Sequence, residues 1–430
     1  MLLLPSIAKN SLTHLRQRKV KRRANAKNSQ VDDPSIGSWP TKGHLAIDCP
    51  DPTQEEAARD VHQTRGVFLA RQDRWAELAH EIRIAEKART LTPAGMSAAE
   101  LLSFGARSDV VLAVEHALYD GHPPRGARLT CGVEALENML LEAVPDVVLS
   151  TVVAQAHMDI AWAWRGTGSL RQVPTRNREA FDAHFDRARE ILDPFHTSET
   201  NSPILAQAVC TLHGAGKATG NRLTRDFETL IDLDPRNPKH MRTFGSLLSP
   251  HRFGSHEELE LEARRTAARS QEAWGAGGYT WVMFDALPQD DVACAHLDLA
   301  FFLEGLHDIL ARNPDQHTVN LLAAYCAVAI GQSTKGLDAA DHKRRRIADC
   351  ADWIVRTHMK EMHPMIWAHA GHRFDNNFRV PSARHFAEAG RASGIRILKQ
   401  IFERELEMGQ HITFTDEGPV AQASHVETMS

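Results

Sequence analysis

Residues 210–221 read CTLHGAGKATGN, the one stretch that would make this chain a nucleotide-binding α/β protein. A phosphate loop needs Gly, four residues, then Gly-Lys-Ser/Thr. Here Gly216-Lys217 is followed by Ala218, and Thr211 stands where the first glycine belongs. The dinucleotide pattern fails too, because Thr219 occupies the third glycine position after Gly214 and Gly216. Upstream, Ile204, Leu205, Ala208, Val209 and Leu212 recur at helical rather than strand spacing. The stretch therefore reads as a helix end and a turn into the next helix, which carries Leu223, Phe227, Leu230 and Ile231. Glycine there accepts the left-handed backbone that helix ends often need.

The same spacing fills most of the chain from about residue 53. Stripes run through Trp75, Leu78, Ala79, Ile82; Val110, Val111, Val114, Leu118; Phe181, Phe185, Ala188, Leu192; Leu299, Phe302, Leu303, Leu306, Leu310; Val319, Leu322, Ala323, Cys326, Ala327, Ile330; and Ile397, Ile401. Ser97-Ala-Ala-Glu100 and Ser255-His-Glu-Glu258 fit the capping box, and Ser202-Pro203 offers a cap followed by proline at the first helical position. Val147 to Trp164 begins like a strand, but its length and the Ala156, Ile160, Trp164 spacing favour a helix. No strand–helix alternation exists to build a parallel sheet, so the chain reads all-α. The expected division is a basic, disordered arm over 1–52, a helical region over 53–164, a repeat region over 177–408 and a flexible tail over 409–430. The polar segment Arg165 to Thr175 is the internal boundary.

Three helix ends look alike: ILDP at Pro194, DLDP at Pro235 and LARNP at Pro314. The gaps are 41 and 79 residues, one unit and nearly two. Ten residues after the last two prolines come Gly245 and Ala324, small residues expected to let the next helix pack on its predecessor. On these residues, over 178–332, the chain resembles the tetratricopeptide class of helical repeats. Its period near 40 departs from that family's roughly 34, and most of the family's aromatic positions are absent. LLSPHRFGSHEELELEARR, which holds Arg252, is similar to a segment of poorly characterised bacterial helical-repeat proteins. The resemblance implies a solenoid or curved array of antiparallel helix pairs, with a concave face that binds a protein or peptide.

Composition narrows the partners. The formal net charge is −5, yet Lys9, Arg16, Arg18, Lys19, Lys21, Arg22, Arg23 and Lys27 all precede Asp32, the first acidic residue. Without those eight cations, 42 Lys and Arg face 55 Asp and Glu, a net −13. An acidic body gains nothing from a phosphate backbone, so nucleic acid or a membrane surface would have to be met by the basic arm alone. No apolar run approaches the roughly 20 residues of a spanning helix. Cys49, Cys131, Cys210, Cys294, Cys326 and Cys350 form no CxxC pair, which suits free thiols in a reducing compartment and a cytoplasmic location.

Two readings of function follow. The first is a non-catalytic scaffold without a cofactor, its partner anchored by aromatic and arginine side chains: Trp162, Trp164, Arg165, Arg252, and Trp274, Tyr279 and Trp281 of WGAGGYTW. The alternative is a helical metal-dependent hydrolase. It would use His307 and Asp308 of GLHDIL, with His256 and Asp341 as further ligands, or the cluster His363, His369, His372 and Asp375. Neither cluster matches HExxH, and there is no GxSxG elbow. The run His342 to Arg346 reads as a solvated helix face.

Overall fold

The computed structural model describes residues 43–123, 128–142, 145–167, 172–197, 200–216, 220–331, 337–375, 380 and 382–423. The basic run before Asp32 lies outside them, as do 168–171 of the internal boundary, 217–219 of the glycine-rich stretch and 424–430. Helices account for most of the described chain, and many pack as neighbouring pairs, so the all-α reading holds. Val147–Arg165 lies along Thr175–Leu192, Gln54–Arg71 along Ala98–Ala117, and Pro364–Gly371 along Ala383–Ile401.

The glycine-rich stretch ends the helix Pro203–Leu212 in a short 3₁₀ turn, His213–Ala215. Gly216 then adopts φ 80°, the left-handed cap, and the next helix is Gly220–Leu233. A helix, not a strand, leads into the turn.

Local signals locate helix starts as expected. Ser202 Oγ accepts from the Leu205 amide, with Pro203 at the first helical position. Ser97 and Ser255 accept from the amides of Glu100 and Glu258. The reciprocal half of the Ser97 box is diverted, because the Glu100 carboxylate pairs with Lys239 of the helix Pro238–Leu248. The complete capping box lies at Thr53 and Glu56, which the sequence reading passed over.

Helices do end at the three proline turns: Thr175–Leu192 before Pro194, Gly220–Leu233 before Pro235, and Leu299–Arg312 before Pro314. The small-residue expectation needs correction at Gly245. Phe244 makes the contact with the preceding helix, stacking on Phe227 at 5.0 Å. Gly245 faces the later helix Gly277–Met283, so close that a Cβ would stand 1.8 Å from the Val282 carbonyl oxygen.

Residues 409–430 were expected to hang free, and 410–423 do not. Strands Gln410–Thr415 and Gly418–Ala423 form an antiparallel hairpin, and Leu45–Ala46 adds a parallel third strand, Leu45 opposite Ile412. HITFT alternates, so Ile412 and Phe414 turn into the core while Thr413 and Thr415 face solvent. Leu45 is buried with them, so the stretch 43–52, expected to be part of the free arm, is also anchored. Asp48 O accepts from the Met362 amide at 2.8 Å.

The largest core cluster takes in Leu45 and then runs from Ala206 to Phe414, including Trp281, Phe302, Leu306, Tyr325 and Trp367. Smaller clusters join the earlier helices, and one of them crosses the segment read as an internal boundary: Met158 and Trp162 share it with Phe185 and Leu192.

Candidate functional site

Each residue singled out in the sequence has a definite place. In WGAGGYTW the three aromatic rings are interior: Trp274 is 3%, Tyr279 0% and Trp281 1% exposed. Trp274 and Trp281 meet edge to face at 5.8 Å, and the Trp274 indole donates to the Pro235 carbonyl at 2.7 Å. The Tyr279 hydroxyl donates to Glu260 and accepts from the Asp298 amide. The glycines between them open no groove. Gly275, at φ 57°, leaves room for the Asp308 carboxylate, and Gly277 and Gly278 let Ile309 and Ser270 close against the backbone.

Asp308 is thereby accounted for. Its Oδ2 accepts from the Ala276 amide at 2.7 Å and its Oδ1 pairs with Arg312 at 2.9 Å. His307 points elsewhere, stacked 4.0 Å from Trp353. His256, nominated as a companion ligand, bonds to Asp290. In the other cluster, His369 and His372 both pack on the Phe386 ring, while His363 turns to Glu361 at 2.9 Å. Among the described residues, no group of three or more His, Cys, Asp or Glu side chains is arranged to hold a metal ion.

The charge run 342–346 is only half solvated. Lys343 donates to the carbonyls of Ala295 and Leu297, closing the helix Asp291–His296, and buried Arg344 reaches Asp291 and Leu287 O. Arg345 and Arg346 remain exposed.

Arg165 lies beside Trp162, and the charge of Arg252 reaches it. Arg165 is the last residue of its helix and lies 5.6 Å from the Trp162 ring centroid, one turn earlier. Phe181 and Phe185 hold that ring edge-on at 5.1 and 5.8 Å, and Gly214 of the opening stretch leaves space for it, since a Cβ there would meet the indole at 3.1 Å. The Trp162 indole N–H is buried with no hydrogen-bond acceptor. Arg252 sits in the turn after Pro238–Leu248, where Gly254 lets the chain pass close to the Leu248 carbonyl. Burial, and then the charge of Arg252, lower the Arg165 guanidinium below its ordinary range. Burial and Arg252 likewise lower His251, with Asp290 opposing. Two arginine charges thus stand near each other, with the Asp290 carboxylate within reach of His251.

Trp164 faces another way. It walls a surface pocket of about 370 Å³ with Arg128, Thr130, Cys131, Glu134 and Arg176, whose guanidinium lies 5.5 Å from the ring centroid. Cys131 is exposed, whereas Cys210, Cys294, Cys326 and Cys350 are buried.

The interior also holds ionised groups that periodicity does not reveal. Arg107, 1% exposed, reaches Asp159 at 2.7 Å and Ser103 at 3.0 Å. Glu55 takes Arg59, the Thr92 hydroxyl and the Ala94 amide, and Arg242 grips Asp285 with two bonds. Near these, burial holds His317 well below the usual histidine range, with Arg59, His363 and Arg242 adding to it. Apart from Arg59 and Ser103, each four residues from its partner, the partners are distant in sequence, so only their being charged within apolar stripes could have signalled them.

Comparison with known proteins finds no matching family model, no similar curated protein and no similar solved structure. The tetratricopeptide resemblance therefore stands on the helix pairing alone. Among the described residues no helix is long and apolar enough to cross a membrane.

Proposed function

We propose that the chain is a helical-repeat scaffold, its antiparallel pairs forming a curved array, that binds an acidic segment of a protein partner at Arg165 and Arg252. The observation that carries the reading is the Arg165 guanidinium 5.6 Å from the Trp162 ring centroid, with Arg252 near enough for its charge to be felt there. Burial, and then the charge of Arg252, make the Arg165 guanidinium costlier to keep charged. A carboxylate placed between them relieves that repulsion and takes bidentate bonds from an arginine fork. Trp162 is held rigid by Phe181, Phe185 and Gly214, so the patch loses little entropy on binding.

The test is affinity capture from the native cell with the wild-type chain and with Arg165→Glu/Arg252→Glu. A partner retained by the wild type, released by moderate salt and lost in the double variant supports the proposal. Identical capture by both proteins, or no stable partner for either alongside turnover in a broad hydrolase screen, overturns it. His307 stacks on Trp353, Asp308 bonds to the Ala276 amide and pairs with Arg312, and His369 packs on Phe386, contacts that do not converge on one metal position.

A further inference from the structure

We propose that His157 and His184 form a binding site for a divalent transition metal ion of the imidazole-preferring class, such as Zn²⁺, with Glu137 as the group that orients it. Three separate helices supply the residues: Glu137 from Cys131–Glu142, His157 from Val147–Arg165 and His184 from Thr175–Leu192. The two imidazoles face each other through like atoms, Nδ1 to Nδ1, at 2.9 Å. Behind His157, its Nε2 meets Glu137 Oε1 at 2.8 Å, and Arg187 clamps that carboxylate at 2.8 and 3.1 Å.

This arrangement fixes protons. An ionised carboxylate only accepts, so His157 carries its proton on Nε2 and presents a bare lone pair at Nδ1. His184 then donates its Nδ1 proton across the 2.9 Å gap. A metal ion placed between the rings takes over that role. The proton of His184 moves through solvent from Nδ1 to Nε2, both Nδ1 lone pairs turn to the ion, and no proton is lost overall.

Distances decide whether an ion fits. Metal–nitrogen bonds of 2.0–2.1 Å at a tetrahedral angle put the two nitrogens roughly 3.3 Å apart. The rings now meet head-on, their centroids 5.2 Å apart, so an ion requires the nitrogens to separate by about 0.4 Å from 2.9 Å and each ring to tilt by roughly 35° until both Nδ1 lone pairs converge on it. A carboxylate behind a ligating imidazole is the common device for orienting the ring and raising its basicity. His157 is 4% exposed and fixed, whereas His184 is half-buried, so solvent fills the remaining coordination positions from its side.

The experiment is equilibrium dialysis of the untagged full chain against Zn²⁺, with metal counted per chain. His184→Ala is expected to lose one zinc equivalent. Glu137→Gln should keep that equivalent and bind it about tenfold more weakly. His256→Ala, a change at the separate Asp290 pair, should leave it intact. Equal stoichiometry and affinity in wild type and His184→Ala overturns the proposal, as does loss of that equivalent in His256→Ala. Should His184→Ala fail to fold, X-ray absorption of the wild-type chain loaded with one zinc asks the same question. Two imidazole outer shells are expected, and a spectrum without them contradicts the site.

Discussion

Glu100 and Lys239, 139 residues apart in the chain, form an ion pair in the interior, with side chains 0% and 6% exposed. Burial, the largest single influence, pushes the Glu100 carboxyl up, but Lys239 together with Gln207 and His240 holds it below the ordinary range. The pair ties the start of Ala98–Ala117 to the start of Pro238–Leu248. Replacing Glu100 with Ala leaves a buried ammonium uncompensated and should cost about 3–5 kcal/mol in urea unfolding. Replacing both residues with Met should restore most of that loss. A single variant as stable as wild type would contradict the pairing.

Glycine spacing is the second place where the fold is exposed to a single change. Gly245→Ala drives a Cβ into the Val282 carbonyl and should destabilise by about 3 kcal/mol or more. At Gly371 a Cβ meets nothing within 4 Å, so Gly371→Ala should stay within about 1 kcal/mol of wild type. Thermal melts of the two variants side by side test the helix contact.

Acid should weaken the protein before ordinary carboxylates titrate. Burial, with Arg59, His363 and Arg242, holds His317 well below 6.5, and burial with His372 pushes His369 down to about 4. The unfolded chain takes up those protons near 6.5, so it binds more protons than the folded one across this window. The contribution is complete above pH 6.5 and is lost as pH falls toward 4. Urea midpoints should drop between pH 7 and 5, and a flat profile would refute this.

Asp308 and His307 are assigned to architecture. Asp308→Ala removes the acceptor of the Ala276 amide and should cost about 1–3 kcal/mol. His307→Ala loses only its stack on Trp353, about 0.5–1.5 kcal/mol. Neither change should alter the zinc bound per chain. A fall in metal content with either would revive the hydrolase reading.

What the sequence disclosed was what is local. Phe302, Leu306 and Leu310 mark their own face, and Ser202 with Pro203 marks its own helix start. What it hid depends on partners far along the chain. Nothing near Gly245 names Val282, nothing near Asp308 names the Ala276 amide, and nothing near Glu100 names Lys239. The face of Ala383–Ile401 was read only in part, for a related reason, since Ile397 and Ile401 do pack half-buried against the core. Its buried side runs through Phe386, Gly390, Gly394 and Leu398, and two glycines carry no apolar signal although they admit Pro364 and Met362. The hairpin 410–423 was missed because two inward residues, Ile412 and Phe414, are too short a pattern to stand out from a polar tail. Of the candidate binding residues, type and position alone could not separate Trp281, sealed in the core, from Arg252 on the surface turn.

Docking of a protein partner beside Arg165 and Arg252 is read most directly by photo-crosslinking in the native cell, with both arginines kept and a photoreactive residue in place of exposed His251 in one chain and of Tyr119, 62% exposed, in another. A discrete adduct is expected from position 251, to a protein carrying an acidic segment, and none from position 119. No adduct from 251, or the same adducts from both positions, would overturn the proposal.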